Sequence, residues 1–547
     1  MTLGYLEHRF EYDPPWWDVF VQTPGGPGAA ARLIASGEIP WWTAPDIKMH
    51  FHRILPSLQL ALSRVLFGHA PLGWHVGSLL WYLALLCAAA AFFRQVLPKA
   101  TANLALLVFA LSDANVFPFA WPAALYAPMA ATFAALGSLA HVRLRRDGWN
   151  PGRWLGPAAL VAGVLAGEAA LGGFAFVVAY DLAGPTARGS ARARALRAAP
   201  VCALALAYLV VYAAADGGAR GSGGYISPLS EPGAFVAAAA TRLPVLLGDV
   251  VLGIPADFAF LGFGTILAAV GAAATALFLW FVGACASHIP DDERAALRWL
   301  GLGALGAIAV GLGGLVGSRD LLVANLGFAP VLAVALRAGF RAAGGGGRWL
   351  RAGTWGLALV HVVAAPIGQL VNEAMLITTA RATETTAHAI EREAAGASRV
   401  MIVSASDPMA SWYPLAVLAS ESSAPLPCWS WLSGVPADVT LTRTGPASFS
   451  LEPRGTTFLR APFETLDRSP RLAFHPGDEV VTCGVTVRVA AVERDRPSRI
   501  EVTSAADLDA PGTAWLAWQS GAMTKVTFPR TGESVTIPWS FGPSGMF

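Results

Sequence analysis

The residues able to do chemistry gather in a few short stretches. Tyr12-Asp13-Pro14-Pro15-Trp16-Trp17-Asp18 comes first, followed by Trp41-Trp42, Asp46 and His50-Phe51-His52-Arg53. Glu168 stands inside a long apolar stretch, and Arg319 directly follows another. An ionisable side chain at membrane depth is costly, and its default reading is functional. A carboxylate can take the proton of an acceptor hydroxyl or amine, and Arg offers phosphate a planar, two-pronged set of donors. Carboxylates and arginines on one membrane face therefore suit activation of an acceptor beside a lipid-linked phosphate. Each residue also has a plain structural use. Asp13 before Pro14 is a turn starter, and Trp pairs anchor a chain at the membrane interface.

Other patterns dissolve on inspection. Gly301-Leu302-Gly303-Ala304-Leu305-Gly306 matches GxGxxG, but no strand precedes it and the run is free of charge, so close packing of helices explains it better than a dinucleotide. His50 and His52 have the spacing of a metal pair without the Cys or carboxylate partners that would complete a site. Asp291-Asp292-Glu293 follows Pro290 at a helix start, where carboxylates satisfy free N–H groups, and reads as a cap. Walker A, nucleophile-elbow and zinc-finger spacings are absent. No metal site is assigned, and a requirement for a divalent ion or other cofactor stays open.

The elements that must position these residues follow from composition. Of 547 residues, 55% are hydrophobic and only 14% charged, and mean hydropathy is +0.52. A chain so poor in charge cannot cover a water-soluble surface, so most of it faces lipid. Disorder and a disulfide-stapled mini-protein are excluded. A net charge of +2 leaves no nucleic-acid footprint. Residues 72–93, 114–142, 198–215, 258–287, 299–318, 321–336 and 352–372 contain no Asp, Glu, Lys or Arg, and about 20 apolar residues suffice to cross a bilayer as a helix. The reading is a polytopic α-helical membrane protein.

Lys and Arg in the short loops orient it. Arg94 with Lys99, Arg143 through Arg153, Arg188 through Arg197, Arg294 with Arg298, and Arg337 through Arg351 all belong on the cytoplasmic side. Threading the chain between them gives about ten spans, near 75–97, 101–119, 121–141, 154–167, 169–184, 196–215, 257–286, 295–317, 320–339 and 353–373. Both termini then share the outer face of the cytoplasmic membrane. The stretch 154–184 would make one helix of ~46 Å at 1.5 Å per residue, too long for one span, so two short arms turning at Gly167-Glu168 are expected. Residues 55–67 have apolar positions at helical spacing and read as an interfacial helix. The polar, Trp-rich start of the chain has no apolar signal segment although it belongs outside, so a first transmembrane helix is expected upstream of it.

Three regions result: an outer-face loop and interfacial helix (1–70), a transmembrane helical domain (71–374) and an extracytoplasmic α+β soluble domain (375–547). In the last, residues 399–403 read as a short buried strand followed by a helix to about 420, and from 438 onward strands alternate with Gly, Pro and Asp turns. Cys428 and Cys483 lie in this domain, where an oxidising compartment permits a disulfide without requiring one.

The order of these features has a familiar look. Phe10-Glu11-Tyr12-Asp13, then His52-Arg53-Ile54-Leu55, then LFGHAPLGWHVGSLLWYLALL (66–86) resemble the GT-C superfamily of membrane glycosyltransferases, above all its protein O-mannosyltransferase-like and TPR-containing branch. FAWPAALYAPMAATFAALGSLAHVRLRR, LAGEAALGGFAFVVAYDLA and GSRDLLVANLGFAPVLAVAL resemble later segments of the same proteins. The resemblance spans about residues 8–373 and is specific in order more than in any one motif. It implies transfer of a sugar from a polyprenyl-phosphate donor, at the outer face, to a glycan, lipid or protein acceptor. It places Asp13 as the general base, matches Arg53 to the family's loop Arg and Glu168 to its membrane Glu, and sets Arg319 to hold the donor phosphate; Asp46, His52 and Trp42, from the residues themselves, join them as substrate-binding candidates. It also departs from the family: Pro14 replaces a second acidic residue, Gly167 a Lys, Ile54 a Pro, and Ser112-Asp113 with Phe117 a His-Pro and its following Glu. A catalytically degenerate scaffold of the same fold thus stays open. So does a secondary transporter, for which Asp113 and Glu168 are the candidate membrane-depth charges.

Overall fold

The computed structural model describes residues 28–68, 70–343, 347–421 and 426–545. Two compact units emerge: a helical one of Phe51–Gly217 with Ser227–Glu373, and a sheet-containing one of the described residues up to His50, Gly218–Ile226 and Ala374 onward.

In the helical unit the chain runs through α1 (Ile54–Phe67), α2 (Pro71–Val96), α3 (Lys99–Leu111), α4 (Tyr126–Asp147), α5 (Gly152–Ala166), α6 (Leu171–Ala183), α7 (Ala191–Ala214), α8 (Pro232–Leu252), α9 (Gly264–Ala284), α10 (Asp291–Gly311), α11 (Asn325–Ala343), α12 (Arg348–Ala358) and α13 (Ala365–Glu393). Among the described residues, six helices are long and apolar enough to cross a membrane. They are Leu72–Val96, Pro122–Asp147, Ala191–Ala214, Pro232–Leu252, Gly264–Ala284 and the continuous Arg348–Glu393. A seventh arises if α3 and the following Asp113–Ala120, bent by 57°, count as one broken span.

The difference from ten has physical causes. The stretch 154–184 does break at Gly167, but its arms α5 and α6 are only 15 and 13 residues long. The arms fold back on each other across α4: Gly163 backs onto Phe133 and Ala170, while Gly173 backs onto Ala134 and Leu160. Helices α10 and α11 carry charges in their first and last turns respectively, which shorten their apolar length. Helix α8 was not expected, because Arg242 and Asp249 interrupt its apolar run. Both find partners: Arg242 Nη1 donates to the Leu312 carbonyl at 2.8 Å and Asp249 is buried.

Exposure divides the helices. Leu206, Val210 and Val211 of α7 and Leu79, Leu80 and Leu83 of α2 are exposed, apolar surface that suits lipid rather than water. Leu326, Ala333, Val334 and Leu336 of α11 are buried, so α11 is a central helix.

The Arg-rich turns converge on one end of this unit. Arg146 donates to the Gln95 carbonyl, Arg145 pairs with Asp181 at 3.2 Å and reaches the Arg197 carbonyl, and Arg337 donates to Thr101. Glu293 pairs with Arg341 at 3.0 Å and Arg337 at 3.6 Å. Short turns at Asp113–Asn115, Glu168–Ala170, Ala256–Leu261 and Ser318–Leu321 separate other helices of the unit.

The second unit is built on two main sheets. Strands β3 (Arg399–Ser404), β4 (Cys428–Trp431), β10 (Thr513–Gln519) and β11 (Ala522–Lys525) form a four-stranded sheet in the order β11-β10-β3-β4. Its centre is parallel, and β3 is buried on both faces from Val400 to Ser404, as its unbroken apolar run demands. Strands β5 (Val439–Gly445), β6 (Ser448–Pro453), β7 (Glu479–Thr482), β8 (Val485–Glu493), β9 (Arg496–Ser504) and β12 (Ser534–Ile537) form an antiparallel sheet in the order β12-β5-β6-β9-β8-β7. Val485, Val487 and Val489 of β8 alternate inward, the period-two pattern of a half-buried strand. A ribbon of β1 (Lys48–His50) and β2 (Gly218–Arg220) belongs to the same unit. Cys428 and Cys483 are joined in a disulfide, which resolves the alternative left open by the sequence.

Candidate functional site

Three of the residues singled out in the sequence meet in the helical unit. Arg53 is the residue before α1, and its guanidinium lies 3.6 Å from the centre of the Tyr126 ring at the start of α4. That stacking fixes the plane of the guanidinium. His52 lies edge-on to Tyr212 near the end of α7, with ring centroids 5.2 Å apart. The Tyr212 hydroxyl donates to Glu168 Oε1 at 3.0 Å. Gly167, next to Glu168, is pressed against Tyr126: a Cβ there would lie 3.3 Å from the ring. Thus a chain of contacts runs Arg53–Tyr126–Gly167–Glu168–Tyr212–His52, and every side chain in it is half-buried.

The local sequence explains the convergence. The α5–α6 break at Gly167 lifts Glu168 out of the apolar layer into a short turn, where its carboxylate has a hydroxyl partner rather than lipid. The His52 Nε2 and the Tyr208 hydroxyl are buried without a hydrogen-bond partner among the described residues. Arg, carboxylate, imidazole and phenol in one cluster can hold an anionic headgroup and orient hydroxyls beside it.

The remaining expected site residues are not among these contacts. Asp13 falls outside the described residues. Arg319 belongs to the turn Ser318–Leu321, electrostatically linked to its neighbour Asp320. Asp46 is in the sheet unit, half-exposed and 3.9 Å from Arg220. Trp42, only 1% exposed, packs on Trp431 with centroids 5.1 Å apart, and Trp41 donates to the Leu432 carbonyl at 3.0 Å. The rings of this Trp pair serve the core of the sheet unit. His50, also buried, lies in β1 of that unit.

A second polar set was not legible beyond Asp113. Asp249 Oδ2 accepts from the Ser318 hydroxyl at 2.6 Å and the Ala256 amide at 2.9 Å, while Asp257 Oδ2 accepts from the Ser318 amide at 2.9 Å. Asn325 donates to Ser112 Oγ at 3.1 Å, and Gln369 to the Ser112 carbonyl at 2.8 Å. The available signal was Asp249, one of two charged residues with Arg242 in a largely apolar helix, a membrane-depth charge whose default reading is functional. Comparison of the chain with protein-family models, curated proteins and solved structures finds no match.

Proposed function

We propose that the chain is a membrane glycosyltransferase of the GT-C type, moving a sugar from a polyprenyl-phosphate donor to a glycan, lipid or protein acceptor. About ten membrane passages, the Arg-rich end in the cytoplasm and the sheet unit on the outer side complete this reading. One observation carries it: Arg53 and Glu168, 115 positions apart in sequence and matched to the family's loop Arg and membrane Glu, belong to one contact chain through Tyr126, Gly167 and Tyr212.

The chemistry is a displacement at the anomeric carbon. Asp13 removes the acceptor proton as the acceptor oxygen or nitrogen forms the new bond, and the polyprenyl phosphate departs with the electron pair of the broken bond. Arg53, stacked on Tyr126, meets the growing phosphate charge with fixed donors, an interaction stronger in the transition state than in the ground state. Arg319 supplies the second cation. Glu168, held by Tyr212, orients the sugar hydroxyls. Asp46, His52 and Trp42 complete the set of substrate-binding residues in this reading.

The test is transfer from a radiolabelled polyprenyl-phosphate hexose by the full-length protein in lipid nanodiscs. Asp13→Asn is expected to lower turnover by about 10²–10⁴-fold, the range of general-base catalysis, with donor binding retained. Arg53→Ala is expected to weaken donor binding. Absence of transfer by the unsubstituted protein, with donor binding indifferent to Arg53, would favour the catalytically degenerate scaffold.

A further inference from the structure

We propose that the helical unit holds a binding site for a small organic ammonium ion, built from residues other than the Arg53–Glu168 cluster and independent of sugar transfer. The site is a cavity of about 280 Å³ between the ends of α3 and α8, one face of α11, and the wall formed by Val360 through Asn372. At ~30 Å³ for each water-sized group it accommodates about ten non-hydrogen atoms.

Its polar lining is one-sided. Ser112, Asp113, Asp249, Asn325 and His361 all face it, and Asp249, Asn325 and His361 are only 3%, 7% and 8% exposed. Asn372 lines it too, and two of the donors are engaged. The Asn325 amide donates to Ser112 Oγ at 3.1 Å, and His361 Nε2 lies 3.3 Å from the Val251 carbonyl. An acceptor is left over: Asp113 Oδ2 is buried and accepts no hydrogen bond among the described residues, although the Ser318 side chain and the Ala114 amide serve the rest of the carboxyl. None of the described residues lining the cavity is Lys or Arg. A buried carboxylate oxygen without a donor costs free energy comparable to a lost charged hydrogen bond, and a cation bearing N–H groups removes that cost.

The rest of the wall selects the kind of cation. Phe109, Val250, Phe258, Leu321, Leu332 and Ile367 are apolar and suit a hydrocarbon body. No group of three or more His, Cys, Asp or Glu among the described residues is arranged to hold a metal ion. An alcohol or amide would fill the space but leave the Asp113 charge unanswered. A primary ammonium on a compact apolar body satisfies both halves. His361 also lies in a π-helical segment, Leu359–Ala364, a backbone form often found at functional sites.

The experiment is calorimetric titration of the full-length protein in detergent micelles with benzylammonium chloride, and separately with benzyl alcohol. Saturable binding of the ammonium and none of the alcohol is expected. Asp113→Asn is expected to weaken the ammonium at least about tenfold, the scale of one charge-assisted hydrogen bond, and Ala364→Phe to abolish binding by filling the cavity. Arg53→Ala is expected to leave it unchanged, which separates this site from that of the sugar donor. Equal binding of alcohol and ammonium, full ammonium affinity in Asp113→Asn, loss of it in Arg53→Ala, or no saturable binding would each overturn the assignment. Should Asp113→Asn fail to fold, the ammonium–alcohol comparison on the unsubstituted protein decides alone.

Discussion

Charged residues in an apolar chain are read by their neighbours, and the triplet Asp291-Asp292-Glu293 shows how far that goes. No side chain caps α10, whose N-cap is Pro290; the first two acids stay local to its first turn, where Asp291 pairs with Arg294 at 3.3 Å and Asp292 accepts from the Glu293 amide at 2.9 Å. Glu293 does more. It is 1% exposed and accepts from Arg341, Arg337 and Thr101, tying the starts of α3 and α10 to the end of α11. Sequence spacing could place the acids in a first helical turn but not the clasp, because the clasp partners are 44, 48 and 192 positions away. Glu293→Gln leaves two guanidinium groups without their counter-charge. Both arginines keep about a third of their side chains in solvent, so the expected loss is about 1–3 kcal/mol, below that for a fully buried pair. A lowered thermal midpoint in detergent checks it. An unchanged midpoint would reduce Glu293 to a first-turn acid like its neighbours.

At the scale of elements, periodicity and length were legible where the chain obeys them locally. The α5–α6 arms followed from a stretch too long for one span, and β3 and most strands beyond 438 from apolar runs between turns. Elements that depend on distant partners were not. Strand β4 is four residues paired to β3, and β1 and β2 are three residues each, paired across some 170 positions. Helix α8 hid behind Arg242 and Asp249, whose partners lie on other segments. The Gly301–Gly306 motif is the reverse case, since its packing role was legible and its geometry now differentiates the glycines. A Cβ on Gly303 would lie 3.0 Å from the Phe176 Cα, and one on Gly306 2.7 Å from the Ala175 Cβ, so α6 approaches α10 along this face. Gly301 has only Val331 at 3.9 Å. Gly301→Ala is therefore expected to be tolerated or to stabilise by up to ~1 kcal/mol through helix propensity. Gly303→Ala should cost about 1–3 kcal/mol through overpacking. Paired thermal melts of the two variants decide, and equal sensitivity of both sites would count against the helix-packing reading.

For the whole molecule, five Arg-rich turns at one end of the helical unit and a disulfide in the sheet unit bear on the same question of sidedness. Positive loops stay in the cytoplasm, whereas a lasting disulfide needs an oxidising compartment. The Cys428–Cys483 bond spans 55 positions, and closing a loop of that size stabilises by about 4 kcal/mol in the chain-entropy account. That stabilisation reaches the protein in the cell only if the sheet unit is exported. Ser287, exposed beside the Arg294 turn, offers a probe for the opposite side. In a background with Cys87→Ala and Cys202→Ala, a Ser287→Cys variant should react with a membrane-impermeant maleimide only after the cells are permeabilised. In intact cells with an opened outer envelope, Cys428 and Cys483 should become reactive once an impermeant reductant is added. A reporter active only in the cytoplasm and fused after Phe547 should stay silent. Labelling of Ser287→Cys in intact cells, or an active fusion, would reverse the orientation and move the proposed sugar-transfer site to the cytoplasmic face.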